Sequence, residues 1–182
     1  MTNNNLCIRL ATLSDADAIN ALIEASAKAL GTTDYTAEQI ELALVSAWGL
    51  DTQLIKDNSY YVVETEQHPS IVACGGWSYR QTLFGNDAEQ NRDPKTIDVE
   101  TGAAKIRAFF VHGSYSRQGI GTMILNTCEA AAMNAGYKKL ELMATLPGLK
   151  LYQKFGYLPQ ETVHYPLNHK LTIEFVAMTK TP

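Results

Sequence analysis

The sequence carries no excess of positive charge. Its 15 Lys and Arg stand against 19 Asp and Glu, for a net charge of -4 over 182 residues, and no Lys/Arg-rich run occurs. A nucleic-acid partner bound by counterion displacement is therefore not expected. No stretch approaches the roughly 18 apolar residues of a membrane span, so no membrane partner is expected either. The opening M-T-N-N-N-L lacks the charged and apolar regions of a secretory signal. Cysteine is scarce and odd in number, Cys7, Cys74 and Cys128, without metal-ligand spacing. That favours reduced thiols packed as small hydrophobes, a cytoplasmic location and no metal site. With no repeat, low-complexity segment or linker, residues 1–182 read as a single domain, interrupted by a polar insertion at about 80–101.

What is present centres on Lys105 to Ala135. Lys105–Val111 is rich in β-branched and aromatic residues and predicts a strand. A polar loop, His112–Gln118, leads to Gly119-Ile120-Gly121 and an amphipathic run through Ile124, Cys128 and Ala131. A strand, a glycine-bearing loop and a helix start gather backbone N–H groups and a positive dipole end, which suits a pyrophosphate. The alternative is a tight connection and nothing more. Two familiar phosphate loops are excluded: Ile124 occupies the place of the third Rossmann glycine, and Thr122-Met123 follows Gly121 where a P-loop needs Lys and Ser/Thr.

Around this centre the chain predicts a strand at Leu6–Leu10, a helix capped at Ser14, and a second helix from a Thr36/Gln39 capping box to Trp48-Gly49. A strand at Ser59–Thr65, a turn at Gln67–Ser70 and a strand at Ile71–Tyr79 follow, with a bulge or a close ligand approach suggested by Gly75-Gly76. The insertion is either a plain surface excursion or a lid whose inner face is Leu83 and Phe84. Beyond the central helix come a strand at Lys138–Met143, a short helix from Pro147 to a Gly156 cap, and a closing hairpin around Asn168–Lys170.

The segment F-F-V-H-G-S-Y-S-R-Q-G-I-G-T, followed by L-Y-Q-K-F-G-Y, resembles the GNAT superfamily of acyl-CoA-dependent N-acetyltransferases. The resemblance implies an α/β (α+β) fold, a mixed and mostly antiparallel twisted sheet of about seven strands flanked by about four helices. It implies acetyl-CoA as co-substrate, with the backbone of Phe109, Phe110 and Val111 beside the pantetheine arm. Arg117, Gln118, Gly119, Ile120, Gly121 and Thr122 would surround the pyrophosphate, and Tyr152 would be the general acid that protonates the departing thiolate. Departures from the family pattern are Ser116, Thr145 and Gly148, and neither Lys105 nor Arg107 supplies the base that some relatives carry on the central strand.

The implied reaction moves an acetyl group to a primary amine of a small molecule or a protein terminus. The alternative is a CoA-binding sensor without turnover. Thioester aminolysis needs a neutral amine, donors for the oxyanion (the N–H near Val111 is the candidate) and an acid for the thiolate. A phenol at position 152 suits the last, although a core aromatic would read the same. Candidates for the base are His112, His164, Glu100 and Glu141, or water. If residues 105, 107, 109 and 111 share one strand face, Arg107 looks toward the acceptor, where it could pair with an acidic substrate or else with an internal carboxylate such as Glu141. Trp77 and Tyr79 are candidate acceptor contacts, and exposed strands or the closing hairpin would serve a homodimer.

Overall fold

A computed structural model describes residues 6–65, 68–88, 93 and 95–181. The elements in order are strand β1 (Leu6–Leu10), helices α1 (Ala16–Leu30), α2 (Ala37–Ser46) and α3 (Thr52–Lys56), and strands β2 (Tyr60–Thr65), β3 (His68–Ser78) and β4 (Ala104–Val111). Helix α4 (Ile120–Asn134), strand β5 (Leu140–Thr145), helix α5 (Leu149–Lys154) and strands β6 (Leu158–Pro166) and β7 (Thr172–Lys180) complete the chain. The seven strands form one sheet in the order β1-β2-β3-β4-β5-β7-β6, antiparallel at every pair except β4–β5. The mixed sheet matches expectation, and the described residues form five α-helices where about four were expected.

Local chemistry explains most boundaries. The Thr36/Gln39 box forms as expected, Thr36 N–H donating to Gln39 Oε1 at 2.9 Å and Gln39 N–H to Thr36 Oγ1 at 3.2 Å. The first helix does not start from a Ser14 cap. Thr12 opens a 3-10 turn over Leu13–Asp15, its N–H held by the Asp15 carboxylate at 2.7 Å, and α1 follows from Ala16. Asp15 is in turn fixed by Arg9 at 2.8 Å. Helix α3 escapes sequence periodicity because it is five residues long, although Asp51 caps it by accepting from Gln53 N–H at 3.0 Å. The turn expected at Gln67–Ser70 lies partly outside the described residues, and from His68 the chain is already strand.

One irregularity shapes the sheet. Cys74 pairs with Phe110 and Gly76 with Arg107, so Gly75 alone faces the two residues Ala108 and Phe109. This is a bulge on β4, and Ala108 takes a left-handed φ of 55° to make it. The bulge expected near Gly75-Gly76 is present at that level, with the extra residue on the neighbouring strand. It also overturns the common face of 105, 107, 109 and 111, because an extra residue inverts the alternation after it. Phe109 and Val111 pack with Ile106 in the core under α4, while Ala108 and Phe110 join the core under α1 and α2.

Gly75 lets α4 sit down on this bulge. A Cβ there would lie 2.7 Å from Ile124 Cγ2 and 2.8 Å from the Phe109 ring. Gly75→Ala is therefore expected to cost about 1–3 kcal/mol of stability by overpacking, measured by urea unfolding; an unchanged midpoint would contradict this account of the contact.

Candidate active site

The parallel pairing of β4 and β5 lasts three residue pairs, Ala104↔Leu140, Lys105↔Glu141 and Ile106↔Leu142. Beyond Ile106 the strands part. Phe110 and Val111 remain paired to β3 on one side, and Met143–Thr145 remain paired to β7 on the other. The facing edges of β4 and β5 thus flank a gap in the middle of the sheet, and the bulge lies at its start. The Ala108 carbonyl is turned away to accept from the Tyr60 hydroxyl at 3.1 Å, which helps hold the unfavourable φ in place.

At the open end of the gap the chain turns through Gly113–Tyr115 and reaches α4. Arg117 (φ 62°) and Gly119 (φ 83°) are left-handed. The first helical bond is Met123 N–H to Gly119 O at 3.0 Å, so the N–H groups of Ile120, Gly121 and Thr122 have no intrahelical acceptor. The two glycines serve different ends. A Cβ at Gly119 would meet nothing within 4 Å, and glycine is there for its φ; at Gly121 it would come 3.2 Å from Leu151 Cδ2, where α5 packs on α4. Arg117 and Gln118 are exposed, and Gln118 Nε2 donates to Ser114 O at 3.1 Å.

A cavity of about 70 Å³ occupies the gap. Its lining brings together Phe109, Phe110 and Tyr152 from the expected site, and Leu83 and Phe84 from the expected inner face of the insertion, with Trp48, Gly49, Gly85, Met143, Thr145 and Phe175. Tyr152 is buried, edge-on to Phe109 (ring centroids 6.3 Å) and to Tyr157 (5.9 Å). Gly148 gives the ring room, since a Cβ there would lie 3.2 Å from Tyr152 Cε2. Burial first, and the neighbouring Cys128 second, push the Tyr152 phenol well above its ordinary value.

Arg107 also borders the cavity, but its guanidinium is engaged. Nη1 donates to Asp51 Oδ2 at 2.8 Å and Nη2 to Gly85 O at 3.1 Å. The carboxylate beside it is Asp51 rather than Glu141, which pairs with Lys105. The insertion behaves as a wall: Phe84 packs on Tyr165 (5.3 Å) and Phe175 (5.9 Å), and Asn86 Nδ2 donates to Trp48 O at 3.0 Å. Trp77 and Tyr79 are not brought to the cavity. Trp77 lies opposite Ile106, at the paired end of β4, and packs on Tyr79 and Tyr137 in the core.

None of the four candidate bases lines the cavity. His112 Nδ1 accepts from Ser114 N–H at 3.3 Å in the loop. Glu100 is exposed near Lys138 at 3.3 Å, Glu141 is on Lys105, and His164 is exposed on β6. Sequence reasoning missed Asp51, Met143 and Phe175. Asp51 carried a signal, an acid before a short apolar run; the other two reach the cavity only through strand order.

No curated protein matches the sequence. Among solved structures, a GCN5-related N-acetyltransferase from Rhodopseudomonas palustris superposes with a TM-score of 0.68 at 18% identity, covering 100% of this chain and 99% of that one. The PaiA N-acetyltransferase from Thermoplasma acidophilum, solved in complex with coenzyme A, gives 0.66 at 13% identity over 98% of this chain and 99% of that one. A GNAT acetyltransferase from Brucella melitensis, in complex with acetyl-CoA, gives 0.56 at 15% identity over 99% and 91%. The sequence matches the model of the Acetyltransferase (GNAT) family over residues 20–157, a span that holds the parted strands, the glycine loop and the Tyr152 helix. The chain belongs to the GNAT acetyltransferase family.

Proposed function

We propose that the protein is an N-acetyltransferase that takes acetyl-CoA as donor and a primary amine as acceptor. The observation that carries this reading is the gap between β4 and β5, with unpaired helix N–H groups at one end and a buried phenol beside it. The pantetheine arm would lie along the edge of Phe109–Val111, and the pyrophosphate would meet the amides of Arg117–Thr122. The acetyl carbon would then reach the cavity near Tyr152.

In the reaction the amine lone pair forms the N–C bond and the C–S bond breaks. The proton on nitrogen leaves to water, the Tyr152 O–H proton goes to the thiolate, and the phenolate takes a proton back from water to restore the acid. The two structural neighbours above that hold coenzyme A and acetyl-CoA support the donor. A CoA-binding sensor would have no use for a phenol held in the cavity, which favours turnover.

Tyr152→Phe is expected to lower kcat by about 100-fold or more while calorimetry with coenzyme A gives an unchanged Kd. Full turnover in that variant would remove the acid from Tyr152. The pH profile gives a second check. A phenol with a raised pKa keeps its proton further into alkali than free tyrosine, so wild-type kcat should show no alkaline fall up to about pH 10. A descending limb well below that pH would show that a different acid donates.

A further inference from the structure

A cavity of about 70 Å³ has room for the acetyl end of the donor and the attacking nitrogen, and for little more. The body of an acceptor must lie outside it. Two of its liners, Trp48 and Gly49, also line an outer pocket of about 360 Å³, within the size range of small-molecule sites. This pocket forms where two helix faces meet. On α1, Glu24 and Lys28 stand one turn apart on the same side, and Glu41 on α2 completes the charged wall. Lys28 is paired to Glu24. Both carboxylates raise the pKa of the Lys28 ammonium, Glu24 foremost and Glu41 in the same sense. Two carboxylates against one ammonium leave the pocket with a negative charge unmatched. The inner cavity opposes this with nothing, because Asp51 neutralises Arg107.

From this we infer that the acceptor is a diamine-type compound, whose reacting amine enters the inner cavity past Trp48 while a second cationic group stays in the outer pocket between Glu24 and Glu41. The inference rests on the acetyl-transfer reading and names its substrate class. Trp48, common to both spaces, gives the methylene chain between the two nitrogens an apolar wall to lie on. The far cation keeps much of its water, since Glu24, Lys28 and Glu41 are all exposed, so its attraction to the carboxylates is modest and falls with salt. Lys28 is the resident competitor in this arrangement. Its ammonium already stands where the far cation binds, and the acceptor draws the carboxylates away from it.

1,5-Diaminopentane, pentylamine and 5-aminopentanoate carry one chain with a cationic, neutral or anionic far end. Each, with its shorter and longer homologues, is supplied with acetyl-CoA while thiol release is followed. At low ionic strength the expected kcat/KM for the best diamine is about fivefold or more above its monoamine, after correction for its two equivalent ends, with the amino acid below both. The gain should lie in KM, as binding shared by ground and transition state does, and should shrink as salt is added. Glu41→Gln should reduce the diamine-to-monoamine ratio by about twofold or more, and Lys28→Ala should raise it by about as much. Opposite effects from two exposed helix positions are not what a loss of stability would give. Equal kcat/KM for diamine and monoamine at every length, or a preference for the amino acid, would overturn the inference and leave acetyl transfer standing. So would a diamine preference that neither substitution moves. Release with no amine at all, from protein that still binds coenzyme A, would remove both.

Discussion

The separation of β4 from β5 is the constraint on which the rest of the structure depends. A sheet normally continues its ladder, since an unpaired edge inside a domain leaves backbone groups without partners. Here pairing stops after Ile106, and the cause is visible two residues further on, where Ala108 is forced to φ 55°. A left-handed alanine is unfavourable by roughly 1–2 kcal/mol and persists only where neighbours hold it. The Tyr60 hydroxyl on its carbonyl and the Cys74–Phe110 pairing beyond it do so. Strain in β4 is thereby converted into a place where something other than a strand can lie.

The second element of the site is the knot of Arg107, Asp51 and the Gly85 carbonyl. It joins the last regular residue of β4 to the cap of α3 and to the insertion, and both charged side chains are almost wholly buried, at 3% and 2% exposure. Removing one partner of such a pair typically costs about 3–5 kcal/mol, because the other charge is left buried. Phe84 and Asn86 then fasten the insertion to β7 and to the residues after α2. Residues 84–86, in a segment with no periodicity of its own, are thus fixed by what they touch.

Much of this was legible in the sequence. The Thr36/Gln39 box, the Gly156 cap, the strand–loop–helix from Lys105 and the approximate bounds of most strands follow from local chemistry, which neighbours in sequence carry. The single-residue bulge at Ala108 was not legible, because alanine gives no hint of a positive φ. The alternation argument for Arg107 failed at that point. Trp77 and Tyr79 are candidate acceptor contacts in the sequence, whereas the strand register sets Trp77 opposite Ile106, at the closed end of the gap, with Tyr79 packed on it. Phe175 lies 65 residues after Phe110 in sequence and meets the cavity only because β7 is inserted between β5 and β6; no local pattern encodes such an order.

That insertion also fixes when the pocket can exist. Strand β7 is the final one in the chain, yet it occupies an interior position in the sheet, and the Tyr35 hydroxyl clasps it by donating to Glu174 O at 2.8 Å. While the chain is emerging from the ribosome, β5 has no outer neighbour and Phe84 no ring to rest on. The aromatic chamber is assembled last, after the glycine loop and α4 are complete, so a nascent chain has the open N-terminal turn of α4 well before the cavity has its far wall.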